Sequence, residues 1–98
     1  MSSPSSISVS KLARLIGTPN APVVVDVRID EDFAADPRLL PTAFRHPYPD
    51  IAALAPRLAG RKVVVVCQKG LKLSQGAAAI LRTHDIVSES LEGGHLAW

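Results

Sequence analysis

The only cysteine of the chain, Cys67, follows four valines at 63–66 and opens a short polar loop. Gly70 and two lysines, Lys69 and Lys72, come within the next five positions. A thiolate is a strong nucleophile, and nearby cations and the positive end of a helix dipole favour it over the thiol. Gly70 lets the backbone bend so that successive amides can converge on an anion above the sulfur. These residues indicate a nucleophilic thiol in an anion-binding loop.

The segments on either side of the loop predict how Cys67 is positioned. Four consecutive β-branched residues favour a strand, and the absence of polar alternation predicts a strand covered on both faces. After the loop, apolar residues at helical spacing predict a helix that begins at Lys72 or Leu73. Its apolar stripe consists of Leu73, Ala77, Ile80 and Leu81. Cys67 then lies at the carboxyl end of a central strand, where parallel sheets usually bind ligands. On this local pattern alone, a small buried structural cysteine is an equally good interpretation.

The N-terminal third also alternates helix and strand. Apolar residues at helical spacing predict a helix that is capped by Ser8 or Ser10 and stops at Gly17. The apolar run at 22–28 predicts a second buried strand. Two strands without polar alternation predict a parallel core.

The middle of the chain carries prolines at 37, 41, 47 and 49 and is predicted to be mostly loop, with a short strand at 43–45. Asp50 is predicted to cap a helix that ends at Gly60, and 86–88 is predicted to be a short strand. This order of elements predicts a three-layer α/β fold, in which helices flank a central, mainly parallel sheet with right-handed crossovers.

Length and composition limit the classes of function. A chain of 98 residues suits one domain, and we expect a flexible tail at 1–6 and the domain at 7–98. No apolar run is long enough to span a bilayer and no secretory pattern is present, so we expect a cytoplasmic protein with no membrane partner. One cysteine cannot form an internal disulfide, which fits a reducing compartment. The net charge of +2, with scattered basic residues, argues against a nucleic-acid partner.

Other polar residues are interpreted as structural. Asp26 and Arg28 are predicted to support the site from a strand end, with a direct role as a charged pair as the alternative. An acidic cluster is interpreted as a solvated loop, with a metal or partner role as the alternative; it consists of Asp30, Glu31, Asp32 and Asp36. Trp98 is predicted to be a core plug or a capping ring. No metal or other cofactor is predicted, because three histidines share no ligand spacing with the cysteine. They are His46, His84 and His95.

Three segments resemble motifs of the rhodanese-like sulfurtransferases. Residues 25–28 resemble the family's D-V-R at the end of an early strand, and 67–72 resemble its C-x-x-G-x-R active loop. Residues 91–98 are similar to its L-x-G-G-x-x-A-W ending. The three segments stand in the family's order and spacing, and together they frame most of the chain.

The resemblance implies a rhodanese-like fold and a bacterial-type, single-domain sulfurtransferase. By this interpretation Cys67 accepts sulfur from thiosulfate or a related small anionic donor, becomes a persulfide, and passes the sulfur to cyanide or to a thiol, including a protein thiol. Lys69 stands where thiosulfate-preferring members often carry lysine. The loop backbone would cradle the donor or the persulfide. The residues concerned are Gln68, Lys69, Gly70, Leu71 and Lys72.

Two other functions remain open. The first is a non-enzymatic, rhodanese-like binding or regulatory module that displays the loop to a protein partner; the retention of Cys67 and Gly70 favours the enzyme. The second is a phosphatase of the same fold, whose signature is a cysteine, five residues and an arginine. That arginine would stand at position 73, which is Leu73.

The chain departs from the family pattern at three places. Lys72 replaces an arginine, so a point charge stands where the family has a planar fork. Leu73 stands where a small hydroxyl residue is common, and Ser74 comes one place late. The family's G-H-I-P-G-A segment is not recognisable in 36–49.

Overall fold

A parallel β-sheet forms the middle layer of the structure, a computed structural model that describes residues 5–98. Within that range the strands are β1 (Ser6–Ile7), β2 (Val23–Asp26), β3 (Phe44–Arg45), β4 (Lys62–Val66) and β5 (Val87–Leu91). They lie in the order β1-β5-β4-β2-β3, and each neighbouring pair is parallel, which places β4 at the centre. The helices are α1 (Val9–Leu15), α2 (Asp30–Ala35), α3 (Ile51–Leu58), α4 (Lys72–Thr83) and α5 (Gly94–Ala97). The predicted three-layer α/β fold is confirmed.

The valines of β4 serve two hydrophobic cores, one on each face of the sheet. Val63 and Val65 pack on one face, in a core that α3 and α4 complete. Val64 and Val66 point to the other face, where they pack with Leu12 of α1. Side chains alternate between the faces of a strand, so a central strand covered on both sides needs apolar residues at every position. This explains the missing polar alternation.

Several predicted elements occur where the patterns place them. In α1, Ser8 is the N-cap, and its Oγ accepts a hydrogen bond from the Lys11 amide at 3.2 Å. The helix after the active loop begins at Lys72, as predicted. The last strand extends beyond the predicted 86–88 to Leu91, because Glu89 and Ser90 break the apolar pattern although Ser90 is buried, as is Ser88. The Ser88 hydroxyl donates to the Ala78 carbonyl oxygen at 2.7 Å, so its burial leaves no unpaired polar group.

The middle of the chain contains more regular structure than predicted. The acidic cluster is not simply a loop, because Asp30, Glu31 and Asp32 form the first turn of α2, where the helix dipole favours negative charge. The predicted short strand is present as β3. Asp50 occupies the N-cap position of α3, but its side chain makes no cap hydrogen bond. A 3-10 turn, Tyr48–Asp50, leads into α3 instead, and Pro56 lies inside that helix without dividing it.

At both ends of the described chain, the structure differs in part from what the sequence predicts. Residues 1–4 of the expected tail lie outside the described residues, whereas Ser6 already belongs to β1 and pairs in register with Ser90. Trp98 is 40% exposed, so of the two predicted roles the core plug was wrong and the capping ring stays a prediction. Across residues 5–98, no helix is both long and apolar enough to cross a bilayer.

The central position of β4 generates a stability prediction. Val65→Ala should lower the free energy of unfolding by about 2 to 3 kcal/mol, because Val65 is fully buried and its loss leaves a cavity. The matched control is Val87→Ala in the neighbouring strand, where the side chain is 61% exposed and the loss should stay below about 0.5 kcal/mol. Urea denaturation of both variants measures the difference. Similar losses would contradict the assignment of β4 to the centre of the sheet.

Candidate active site

Cys67 is the first residue after β4, at the carboxyl end of the central strand. The loop after it turns at Gly70, which has a φ of 73°, and enters α4. The side chain is only 4% exposed and belongs to the core on the α3 and α4 face. The cysteine therefore opens the loop, as expected, but its side chain is buried in the core rather than exposed at the mouth of the loop.

Ser74 provides the closest polar contact of the sulfur. The Cys67 Sγ donates a hydrogen bond to Ser74 Oγ at 3.1 Å, and Ser74 is fully buried in the first turn of α4. A hydroxyl is both donor and acceptor, so it can turn its proton toward a thiolate. Sequence reasoning set Ser74 aside because it stands one place late. The signal that could have identified it is its place in the first helical turn, directly above the strand end.

The predicted cradle residues form the loop and the start of the helix that follow Cys67. From Gln68 to Ser74, the backbone amides donate no hydrogen bond to any described residue. The first amides of a helix have no partner within the helix, and together with a turn they bind anions. Lys69 and Lys72 are exposed at this loop, and Lys72 is the first residue of α4. The loop thus combines amides that have no acceptor among the described residues with two exposed cations.

A cavity of about 450 Å³ lies beside the loop rather than over the sulfur. Lys69, Gly70 and Leu71 form part of its wall, whereas Cys67 does not line it. Its remaining lining residues are Ser5, Ser6, Gln75, Arg82, Ser90, Glu92 and Gly93. This cavity is therefore not the space into which the sulfur would react.

The Gly93-Gly94 turn packs directly on the backbone of the active loop. Gly94 has a φ of 62°, and a Cβ atom there would overlap the carbonyl oxygen of Cys67. The backbone amides after this turn also bind the start of the loop. The His95 amide donates to the Cys67 carbonyl oxygen at 2.8 Å, and the Leu96 amide donates to the Gln68 carbonyl oxygen at 3.1 Å. The C-terminal segment therefore holds the base of the active loop.

Asp26 and Arg28 form a buried ion pair that does not contact the sulfur. The Arg28 Nε lies 2.9 Å from Asp26 Oδ2, and both side chains are at most 1% exposed. The remaining nitrogens of the guanidinium donate to the backbone carbonyls of Asp36 and Arg38 at 2.9 and 2.8 Å. The Val27 amide between them donates to the Val66 carbonyl at 2.8 Å. These contacts fix the segment after β2 against the strand that carries Cys67.

Asp36 joins two basic side chains next to this ion pair. Its carboxylate accepts from Arg38 Nε at 2.7 Å and lies 3.0 Å from His95 Nε2. The Arg38 guanidinium, and secondly His95, hold the pKa of the Asp36 carboxyl well below its usual range. Asp36 therefore has specific partners, unlike the solvated acid that the sequence predicted. Among the described residues, no group of three or more His, Cys, Asp or Glu side chains could hold a metal ion.

The segment before β3 retains part of the G-H-I-P-G-A motif, although the motif as a whole is not recognisable in 36–49. Residues 38–43 read Arg-Leu-Leu-Pro-Thr-Ala and keep the proline and final alanine of G-H-I-P-G-A. Thr42 stands at the second glycine of that motif and has a φ of 68°. The Ala43 amide donates to the Leu40 carbonyl at 3.0 Å and closes the turn. Thr42 thus adopts the left-handed backbone conformation that glycine favours.

The contact at Gly94 generates a prediction with a matched control. Gly60→Ala, at a φ of 77° with nothing nearby, should cost only the left-handed backbone penalty of about 1 kcal/mol. Gly94→Ala adds overlap with the active loop, and its total loss should reach about 3 kcal/mol or more. Urea denaturation measures both losses. Equal losses would show that the turn does not press on the loop.

Several solved structures of other proteins share this fold. A rhodanese homologue from Thermus thermophilus is 33% identical, with a TM-score of 0.72, over 94% of this chain and 98% of that one. A rhodanese-like domain protein from Staphylococcus aureus is 26% identical (TM-score 0.81), over 95% of this chain and 89% of that one. A human single-domain sulfurtransferase is 20% identical (TM-score 0.79), over 98% and 96% of the two chains, and shares the fold. No family model and no curated protein matches the chain. On its identity to the Thermus protein across nearly the full length of both chains, this chain belongs to the rhodanese-like family.

Proposed function

We propose that the protein is a sulfurtransferase that moves sulfur from thiosulfate, or a related small anion, to an acceptor through a persulfide on Cys67. The observation that carries this proposal is the position of Cys67, which directly follows the central strand and precedes a loop whose amides have no acceptor among residues 5–98. The names of two structural neighbours, a rhodanese homologue and a single-domain sulfurtransferase, support it. The single free thiol suits the reducing cytoplasm, where we place the protein.

The first half-reaction loads the cysteine. The Cys67 thiolate attacks the outer sulfur of thiosulfate and forms a new S–S bond. The bond between the two donor sulfurs breaks, and its electron pair leaves on sulfite. The negative charge then resides on the outer sulfur of the persulfide, where the amides of Gln68 to Lys72 would stabilise it. Ser74 would orient the inner sulfur through the contact that it makes in the structure.

The second half-reaction unloads the cysteine. Cyanide or an acceptor thiolate attacks the outer sulfur, and the S–S bond of the persulfide breaks. Its electron pair returns to Cys67, which is again a thiolate, and the product is thiocyanate or a new persulfide. No redox cofactor or metal is needed in either step, because sulfur moves between two nucleophiles.

The surroundings of Cys67 favour a small anionic donor. The 4% exposure of the cysteine leaves a narrow approach, and exposed Lys69 and Lys72 attract negative charge to it. Lys72 presents a point charge instead of the planar fork of an arginine, so we assign the anion geometry mainly to the backbone amides. This favours thiosulfate over a bulkier mercapto acid.

Loop length separates this proposal from phosphatase chemistry. Position 73 is Leu73, half-buried against the core of α3 and α4, so no arginine stands there to grip a phosphoryl group. The non-enzymatic module remains the second candidate, and the deep burial of Cys67 is the observation that favours it.

Sulfur loading is the direct test. Incubation with thiosulfate, without a reducing agent, should add the mass of one sulfur atom to the intact protein, because the persulfide is stable until an acceptor arrives. Cys67→Ser should gain no mass and should form no thiocyanate from cyanide. Wild-type protein that stays unmodified and forms no thiocyanate, with thiosulfate or mercaptopyruvate as donor, would leave the binding module as the better account.

Ser74→Ala tests the contact with the sulfur while keeping the nucleophile. We expect loading to slow about tenfold, because a positioned hydrogen bond to the reacting sulfur is lost. The matched control is Ser10→Ala, an exposed serine in α1, which should load at the wild-type rate. Rapid quenching followed by intact mass measurement gives both rates. Equal rates in the two variants would remove Ser74 from the mechanism.

A further inference from the structure

The active loop is held in place by α5, a helix too short to be stable on its own. α5 has four residues, and an isolated helix of that length is unstable in water. Its amides nevertheless carry the loop, because His95 and Leu96 donate to the carbonyls of Cys67 and Gln68. Some other contact must therefore fix α5.

The His95 side chain makes such a contact. It is 8% exposed, and its Nε2 lies 3.0 Å from the Asp36 carboxylate. Its Nδ1 is buried and has no hydrogen-bond partner in the described part of the chain, so the contact with Asp36 is what orients the ring. A ring proton on Nε2 makes this nitrogen the donor to the Asp36 carboxylate.

Asp36 is in turn held in place by residues at the end of strand β2. Its backbone carbonyl accepts from the buried Arg28 guanidinium at 2.9 Å, and Asp26 at the end of β2 holds that guanidinium. The contacts are thus continuous from β2, through Arg28, Asp36 and His95, to the carbonyl oxygen of Cys67. This path links the first and last of the three family motifs.

We propose that His95 and Asp36 are positioning residues, which fix α5 and through it the loop that carries Cys67. The proposal rests on the proposed sulfur transfer for its kinetic test. Within residues 5–98, neither side chain forms a hydrogen bond with the sulfur. Their effect passes through the amides of α5, which set where the Cys67 and Gln68 carbonyls lie and hence where the following amides point. Small displacements of a reacting group are costly, which makes such a distant pair important for the rate.

The test compares two substitutions at His95. His95→Leu removes the donor to Asp36 and should slow sulfur loading at saturating thiosulfate by about tenfold. His95→Gln keeps a side-chain N–H donor of similar reach and should recover to within about threefold of wild type. His84→Leu is the matched control, because His84 is exposed and its side chain forms no hydrogen bond or ion pair within residues 5–98. It should load at the wild-type rate.

Asp36→Ala removes the other side chain of the pair. Because the Asp36 side chain is one-third exposed, this variant can still be measured if His95→Leu fails to fold. It should slow loading as His95→Leu does, and the double variant should be no slower than either single one, since both remove the same contact. Wild-type rates in His95→Leu or Asp36→Ala would overturn the proposal. So would a His95→Gln variant as slow as His95→Leu, or a double variant whose slowing is the product of the two single effects.

Amide exchange separates this proposal from the proposed function. The amide of Leu96, which donates to the Gln68 carbonyl, should exchange with deuterium about tenfold faster in His95→Leu than in wild type or His84→Leu. That result would support the positioning role even if no donor loads wild-type Cys67. Unchanged exchange would overturn it, even if the protein transfers sulfur.

Discussion

The candidate site depends on a direct contact between two pieces of backbone. The Gly93-Gly94 turn lies so close to the start of the active loop that a side chain on Gly94 would occupy the position of the Cys67 carbonyl. Gly70 meets the same turn from the other side. Contact of this kind tolerates no Cβ atom and leaves the loop little freedom. The glycines are therefore needed for the geometry of the amides above the sulfur, more than for the bending of either segment alone.

The charged side chains around the site fall into two groups: buried ones that stabilise the structure, and exposed ones that can attract an anion. The most deeply buried ion pair among the described residues joins Asp26 and Arg28, and the remaining guanidinium nitrogens donate to backbone carbonyls. Removing one partner would leave an uncompensated buried charge, so the pair acts as a structural clamp on the segment that contains Asp36. Near the sulfur, in contrast, the cations Lys69 and Lys72 are exposed and can meet an anion from solvent. A rigid network beneath the loop and exposed cations above it suit a site that must hold one sulfur and exchange small anions.

The parts of the structure that could be predicted are those with a strong local pattern. The apolar runs of β2 and β4 and the stripe of α4 identified the sheet core and placed Cys67 at a strand end. Two-residue strands such as β1 carry no such pattern, and α2 buries no residue, so the prolines around it dominated the prediction. The contacts between 67–70 and 93–96 join residues far apart in the chain, which periodicity does not reveal. The hydrogen bond from Cys67 to Ser74 was missed because motif spacing assigns the hydroxyl to position 73, whereas the first turn of α4 brings position 74 over the sulfur.

The central claim is that Cys67 carries the sulfur between two separate half-reactions. Its most direct test is the stoichiometry of the first half-reaction in the absence of any acceptor. Thiosulfate mixed with a known amount of protein should release one sulfite per chain, and later addition of cyanide should yield one thiocyanate per chain and restore the unmodified cysteine. Sulfite that appears only when cyanide is also present, or no sulfite at all, would contradict the account.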